Sequence, residues 1–166
     1  VEKRLTVVLK AIDNRDSETL RKWIALDNEI DEREVLIEEE CLKILALHQP
    51  VACDLRFIVA VLKINNDLER IGDIIVNIAE RGLTLLSYPA FDMMNQVQEM
   101  GQMVKGMLSD CLDALVKFNI DEAEDVIQRD DLIDQRNHEV IQSVVRSVSG
   151  TVAGTSVEAL IQIYTI

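Results

Sequence analysis

The chain has 166 residues, 48% of them apolar, with 30 acidic against 17 basic side chains and a net charge of −13. That balance excludes nucleic acid as a partner, because binding phosphates demands clustered Lys and Arg. It also repels anionic lipid surfaces and attracts cations or basic protein patches. Aromatics at 4%, with few glycines and prolines, supply strands, turns and sugar-stacking platforms poorly, so the composition is all-helical.

Val1 to Ile12 reads as the tail of an amphipathic helix, with Leu5, Val8, Leu9 and Ile12 on one side. Asn14, Arg15 and Asp16 punctuate it, and Asp16 or Ser17 can cap a long second helix running to about His48. Pro50 suits the first position of a third helix that ends near Ser87, and Tyr88, Pro89 and Ala90 form the clearest internal break. The plan then recurs, with helices expected from Phe91 to about Phe118 and from Asp121 to about Val148. A last helix from about Ser156 reaches Ile166. One constant shift carries Asp27 onto Asp130, Asp31 onto Asp134, Ile24 onto Ile127 and Ile30 onto Ile133. The expected fold is therefore all-α, two tandem three-helix bundles over residues 1–88 and 91–166. The first is expected to lack its upstream part and the second to be cut short at the C-terminus.

No uncharged run is long enough to cross a membrane, since Lys63 interrupts the best candidate, and no signal peptide is evident. Cys41, Cys53 and Cys111 fit no metal-ligand spacing and read as reduced packing residues, which points to the cytoplasm.

The chemistry concentrates in Asn66–Glu80, NDLERIGDIIVNIAE. Glu69 and Asp73 lie one helical turn apart, Asn77 and Glu80 continue their stripe, and Ile64, Leu68, Ile71, Ile75 and Ile78 occupy the opposite side. A charge run on a helix is usually its solvated face. The second helix is harder to dismiss, because Leu20, Ile24, Asp27, Asp31, Glu38, Leu42 and Leu45 fall close to one line, so two aspartates interrupt an apolar seam. Ile127, Asp130, Asp134, Ile141 and Val145 repeat it. Carboxylates on a core-facing seam are costly unless paired, protonated or bound to a cation, and Arg33, Arg56 or Arg70 are alternative sources of charge. If the chain reverses near His48 to Pro50, antiparallel pairing brings Asp27 and Asp31 level with Glu69 and Asp73, at the edge of the bundle. Such an all-oxygen group suits Mg, Mn, Ca or oxygen-bridged iron. For Asp130 and Asp134 the matching partners would fall beyond Ile166, so a second group is expected to be incomplete.

Other chemistry is sparse. Neither His48 nor His138 stands in a Glu-x-x-His pair, and there is no Gly-rich phosphate loop, nucleophile elbow or Cys–His pairing. Catalysis is not expected. A carboxylate-bridged metal storage or redox protein and a metal-free helical scaffold are the competing readings.

Leu47 to Arg81 resembles the signature of the PhoU family of phosphate-signalling regulators. The elements that carry the resemblance are Gln49-Pro50, Asp54-Leu55-Arg56, Leu68-Glu69-Arg70-Ile71-Gly72-Asp73 and Asn77-Ile78-Ala79-Glu80. The resemblance implies a cytoplasmic, often homodimeric adaptor between the phosphate ABC transporter, through its ATPase, and a sensor histidine kinase, recruited to the inner face of the membrane through those partners. It also implies metal-binding acidic motifs, which fall here on Asp27/Asp31, Glu69/Asp73 and Asp130/Asp134, with Asn77 and Glu80 as additional ligands. Iron, zinc, magnesium or manganese are the ions it suggests. The second LERIGD-like run that the resemblance implies is not in the sequence.

Overall fold

The computed structural model describes residues 1–26, 28–88 and 94–149. Its helices are α1 (Glu2–Asp13), α2 (Ser17–Ala25), α3 (Asn28–His48), α4 (Ala52–Leu85), α5 (Met94–Lys117) and α6 (Ile120–Ser149). Among the described residues there is no strand. Tyr88 lies in a bend, while Pro89, Ala90, Phe91 and the helix expected from Ser156 fall outside the described residues.

The core forms where α1 lies against α2 and α4. Leu5, Val8, Leu9, Ala11 and Ile12 of α1 meet Leu20 of α2 and Ile75 and Ala79 of α4, with Leu20 and Val8 fully buried. The apolar stripe read on α1 is this face, and Ile64, Leu68, Ile71 and Ile78 are half-buried on the same side of α4 as Ile75. Asp16 caps α2, its side chain accepting from the Thr19 amide at 3.0 Å. Arg15 donates to the carbonyls of Leu86 and Tyr88 at 2.6 and 2.8 Å, closing the far end of α4 onto the α1–α2 turn.

Three expectations are corrected. The single long helix from Ser17 to His48 is two, interrupted after Ala25. Arg4, buried and stacked over Trp23, donates from α1 to the Leu26 carbonyl, which also accepts from the Glu29 amide at 3.3 Å. Pro50 is not the first helical residue of α4, because Val51 is its N-cap. The reversal is made instead with Gln49 and Ala52 at φ of 45° and 48°. Of the cysteines, only Cys41 is buried, and burial pushes its thiol up, whereas Cys53 and Cys111 are exposed free thiols.

The two halves meet through α1 and α5. Leu9 packs where a Cβ on Gly101 would stand, and Gln98 donates to the Leu9 carbonyl at 2.6 Å. Phe57 and Phe118 add a ring contact at 5.3 Å between α4 and the α5–α6 turn.

Candidate metal centre

α3 and α4 run antiparallel from the reversal at Gln49, and two features fix their register. Asn65, buried in α4, donates its side-chain amide to the Glu34 carbonyl of α3 at 2.8 Å. Two helical turns further along α4, Gly72 admits Ile30. A Cβ at Gly72 would stand 2.7 Å from Ile30 Cδ1 and 3.2 Å from its Cγ2, so the helices approach this closely only because the residue is glycine. Asn65 is a satisfied polar lock and Gly72 a steric one. Gly72 lies inside the acidic motif and Asn65 just before it, and a glycine inside a helical pattern is itself a signal of close approach.

This register places Asp31 beside Glu69 and Asp73. One oxygen from each of the three carboxylates lies within 4.8 Å of the other two. Neighbouring oxygens around a hexacoordinate ion stand about 3.0 Å apart for Mg²⁺ and about 3.4 Å for Ca²⁺. Small side-chain rotations would bring the three groups onto one divalent ion, with water completing the shell on the exposed side. The donor set is all oxygen and all anionic, which suits hard ions better than zinc, whose sites lean on Cys and His. Glu69 is half-buried, whereas Asp31 and Asp73 are exposed. Burial first, and then the charges of Asp73, Asp31 and Glu34, push Glu69 above its ordinary carboxylate value, with Arg70 partly offsetting them. Among the described residues no lysine or arginine pairs with the trio: Arg70 pairs with Asp67 at 3.8 Å, and Arg56 reaches Cys53 Sγ at 3.5 Å.

The remaining site expectations fall elsewhere. Asp27 lies outside the described residues. Asn77 and Glu80 are exposed further along α4, and Glu80 does not join the trio. Asp130 and Asp134 are exposed on α6 and belong to no such group among the described residues. His138 faces Gln142 at 2.8 Å on the surface of α6.

The apolar seam expected through Asp31, Glu38 and Leu42 does not face the core, for all three are exposed. The inward ridge of α3 is Ile30, Glu34, Cys41 and Leu45, all buried or half-buried. The line through Leu20 and Ile24, buried and half-buried on α2, does not continue into α3. The matching seam on the unbroken α6 also turns outward, with Ile127 72% exposed. The edge position expected from the hairpin pairing is the one observed for Asp31, Glu69 and Asp73.

The fold and the site together define an all-helical, non-β protein built on helical hairpins, with an acidic cluster carried between two long helices. Comparison with known proteins gives the family: the PhoU domain model matches residues 1–82 and 97–166, and the chain belongs to the PhoU family. The phosphate-specific transport system accessory protein PhoU of Serratia marcescens is 32% identical over 145 residues, covering 87% of this chain and 60% of that protein. A homologue of that accessory protein from Deinococcus radiodurans is 34% identical over 152 residues, covering 87% of this chain and 68% of the relative. The crystal structure of PhoU from Pseudomonas aeruginosa superposes with a TM-score of 0.88 at 30% identity, over 99% of this chain and 78% of that one. The phosphate transport system regulatory protein PhoU from Streptococcus pneumoniae gives 0.89 at 28% identity, over 99% and 76%. The chain thus spans 60% of the length of the Serratia relative. Among the described residues, no helix is long and apolar enough to cross a membrane.

Proposed function

We propose that this chain regulates phosphate uptake and phosphate-starvation signalling as a cytoplasmic adaptor between the phosphate ABC transporter ATPase and its sensor histidine kinase, acting as a homodimer and without catalysis of its own. The reading is supported by family membership and by the names of the relatives, which are accessory or regulatory proteins of phosphate transport.

The observation that carries the metal part is the Asp31–Glu69–Asp73 trio, three carboxylates on two helices with no basic partner among the described residues. A divalent ion there, iron, magnesium or manganese ahead of zinc, would tie α3 to α4 and gate the surface shown to partners. Asp27, Asn77 and Glu80 are reserved as further ligands, and Asp130 and Asp134 as the equivalent pair of the second repeat.

Capture of the host's transporter ATPase and sensor kinase, with and without Glu69→Ala/Asp73→Ala, tests both parts. Specific capture supports the adaptor role, and its loss in the variant ties the acidic centre to it. If the folded protein captures neither partner, metal-loaded or chelated, the adaptor reading fails. Oxygen-dependent iron turnover by the wild type would move a storage or redox role to the front, while a variant that behaves in every respect like wild type would favour the metal-free scaffold.

A further inference from the structure

The side of the α3–α4 hairpin that carries the three carboxylates continues as an apolar strip. Val35 stands one turn beyond Asp31, and Leu42 two turns further on the same side of α3, at 49% and 52% exposure. Level with them on α4, Leu62 and Val59 lie two and three turns before Glu69, and Val59 is 41% exposed. Two shallow hollows open here, about 470 Å³ beside Asp31, Val35 and Leu36, and about 510 Å³ beside Val59, Leu62 and Asn66. The first has a predominantly apolar lining.

Charge decides what fits such a surface. α3 carries Glu29, Asp31, Glu32, Glu34, Glu38, Glu39 and Glu40 against only Arg33 and Lys43, and Lys43 is already paired with Glu40 at 2.6 Å. On the α4 side Lys63 is the one cation lining the hollow, and Arg70 is paired with Asp67. A second copy of this chain would set acid against acid across the strip, at a net −13 per chain. A helix with an apolar face and basic flanks places opposite charge against that rim and covers the exposed Val and Leu side chains.

We propose that this strip docks an amphipathic helix of a partner protein, with its basic residues against Asp31, Glu69 and Asp73, and that a divalent cation at those carboxylates competes with it. The docking half stands on the strip and its charge; the competition half rests on the metal reading above. Cation and basic helix neutralise the same three charges, so each weakens the other, and by linkage the two effects are equal in size. The acidic centre then works as a switch that releases a partner when the ion is present.

The test uses the full chain, a fluorescent Leu/Lys helical peptide, and a Leu/Glu peptide of identical pattern, in about 0.15 M salt. Fluorescence anisotropy should show the Leu/Lys peptide bound and the Leu/Glu peptide free. Val35→Glu/Val59→Glu should weaken peptide binding by about tenfold or more although it adds negative charge, with Mn²⁺ bound at least as tightly as by wild type in calorimetry, since an added carboxylate stands one turn from Asp31. Circular dichroism confirms folding, and Leu42→Glu is the second variant if the first is unstable. Peptide binding that is unchanged or tighter in the variants overturns the strip in favour of nonspecific charge attraction. Wild-type self-association by sedimentation, abolished by the same substitutions, assigns the strip to a second copy and overturns the proposal. Peptide affinity indifferent to Mn²⁺ that calorimetry shows bound overturns the competition. If calorimetry shows no Mn²⁺ bound, the metal reading fails and the competition with it, while the variants still decide the docking.

Discussion

At Glu69 the fold holds a proton more tightly than the unfolded chain does, because burial and three neighbouring acids disfavour its charged form. The folded value being raised, the metal-free protein keeps this contribution at the acid end. It loses it as the pH rises from the ordinary carboxylate value through the raised one. Asp16 runs the other way: its bonds to Thr19 hold it below its ordinary value, and its contribution disappears as the pH falls through that lowered value. The readout is therefore the difference between wild type and Glu69→Gln, followed as melting temperature against pH in the presence of chelator. The variant should lack the loss of stability on the rising side of the carboxylate range and match or exceed wild type at neutral pH. Adding Mn²⁺ should raise the wild-type melting temperature and leave the variant nearly unmoved, its affinity lowered about tenfold or more by loss of a charged ligand. A parallel pH dependence in the two proteins would show that Glu69 is not where the proton is held. The spacing of Glu69 and Asp73 alone reads as a solvated face, and it was the pairing of antiparallel helices about the turn that set Asp31 level with them. Glu34 was not legible, because its effect on Glu69 depends on side-chain placement across the hairpin and not on any spacing along one helix.

Between elements, the close approach of α3 to α4 depends on a glycine and an asparagine. Gly72→Ala gains up to about 1 kcal/mol of helix propensity but forces the branched Ile30 to shift, an overpacking cost of about 1–3 kcal/mol. The net change should be a modest destabilisation in urea, together with weaker Mn²⁺ binding as Asp31 is carried away from Glu69 and Asp73. Ile30→Ala in the same chain makes room for the new methyl group and should restore much of the Mn²⁺ affinity, although it removes packing of its own. Failure of that rescue would detach the glycine from the site. Asn65→Leu should cost about 1–3 kcal/mol, since it leaves the Glu34 carbonyl without its side-chain donor. The hairpin itself could be read from Gln49-Pro50 and the two flanking helical patterns. The interruption after Ala25 could not, for neither glycine nor proline marks it. The Leu26 carbonyl there accepts from the Glu29 amide at 3.3 Å and from Arg4, more than twenty residues away in sequence and on another helix. Local pattern carries no record of such a tertiary partner.

For the whole molecule, α1 is the element both halves share: its apolar side buries against α2 and α4, and Leu9 turns to α5. The duplication was visible as one constant shift between two acidic helices, but how the copies join was not. The junction is built from Gly101, which leaves space for Leu9, and Gln98, which bonds to the Leu9 carbonyl. Neither residue has a periodic or charge signature. A Cβ at Gly101 would stand 2.3 Å from Leu9 Cδ1 and 3.2 Å from Cδ2, so a large side chain must either displace Leu9 from the core or move α5 away from α1. Gly101→Leu should therefore separate what the wild type couples. The α1–α4 half retains Val8, Leu20, Ile75 and Ala79 and should unfold near its original midpoint, while α5 and α6 lose their main support and melt first. Wild type should give one calorimetric transition and the variant two, with Mn²⁺ raising only the later one because the acidic trio lies wholly on α3 and α4. A single transition shifted downward as a unit would mean that α5 and α6 hold the first half together as much as they are held by it. Coupling would then run through the Phe57–Phe118 contact at the opposite end of α5 as well as through α1.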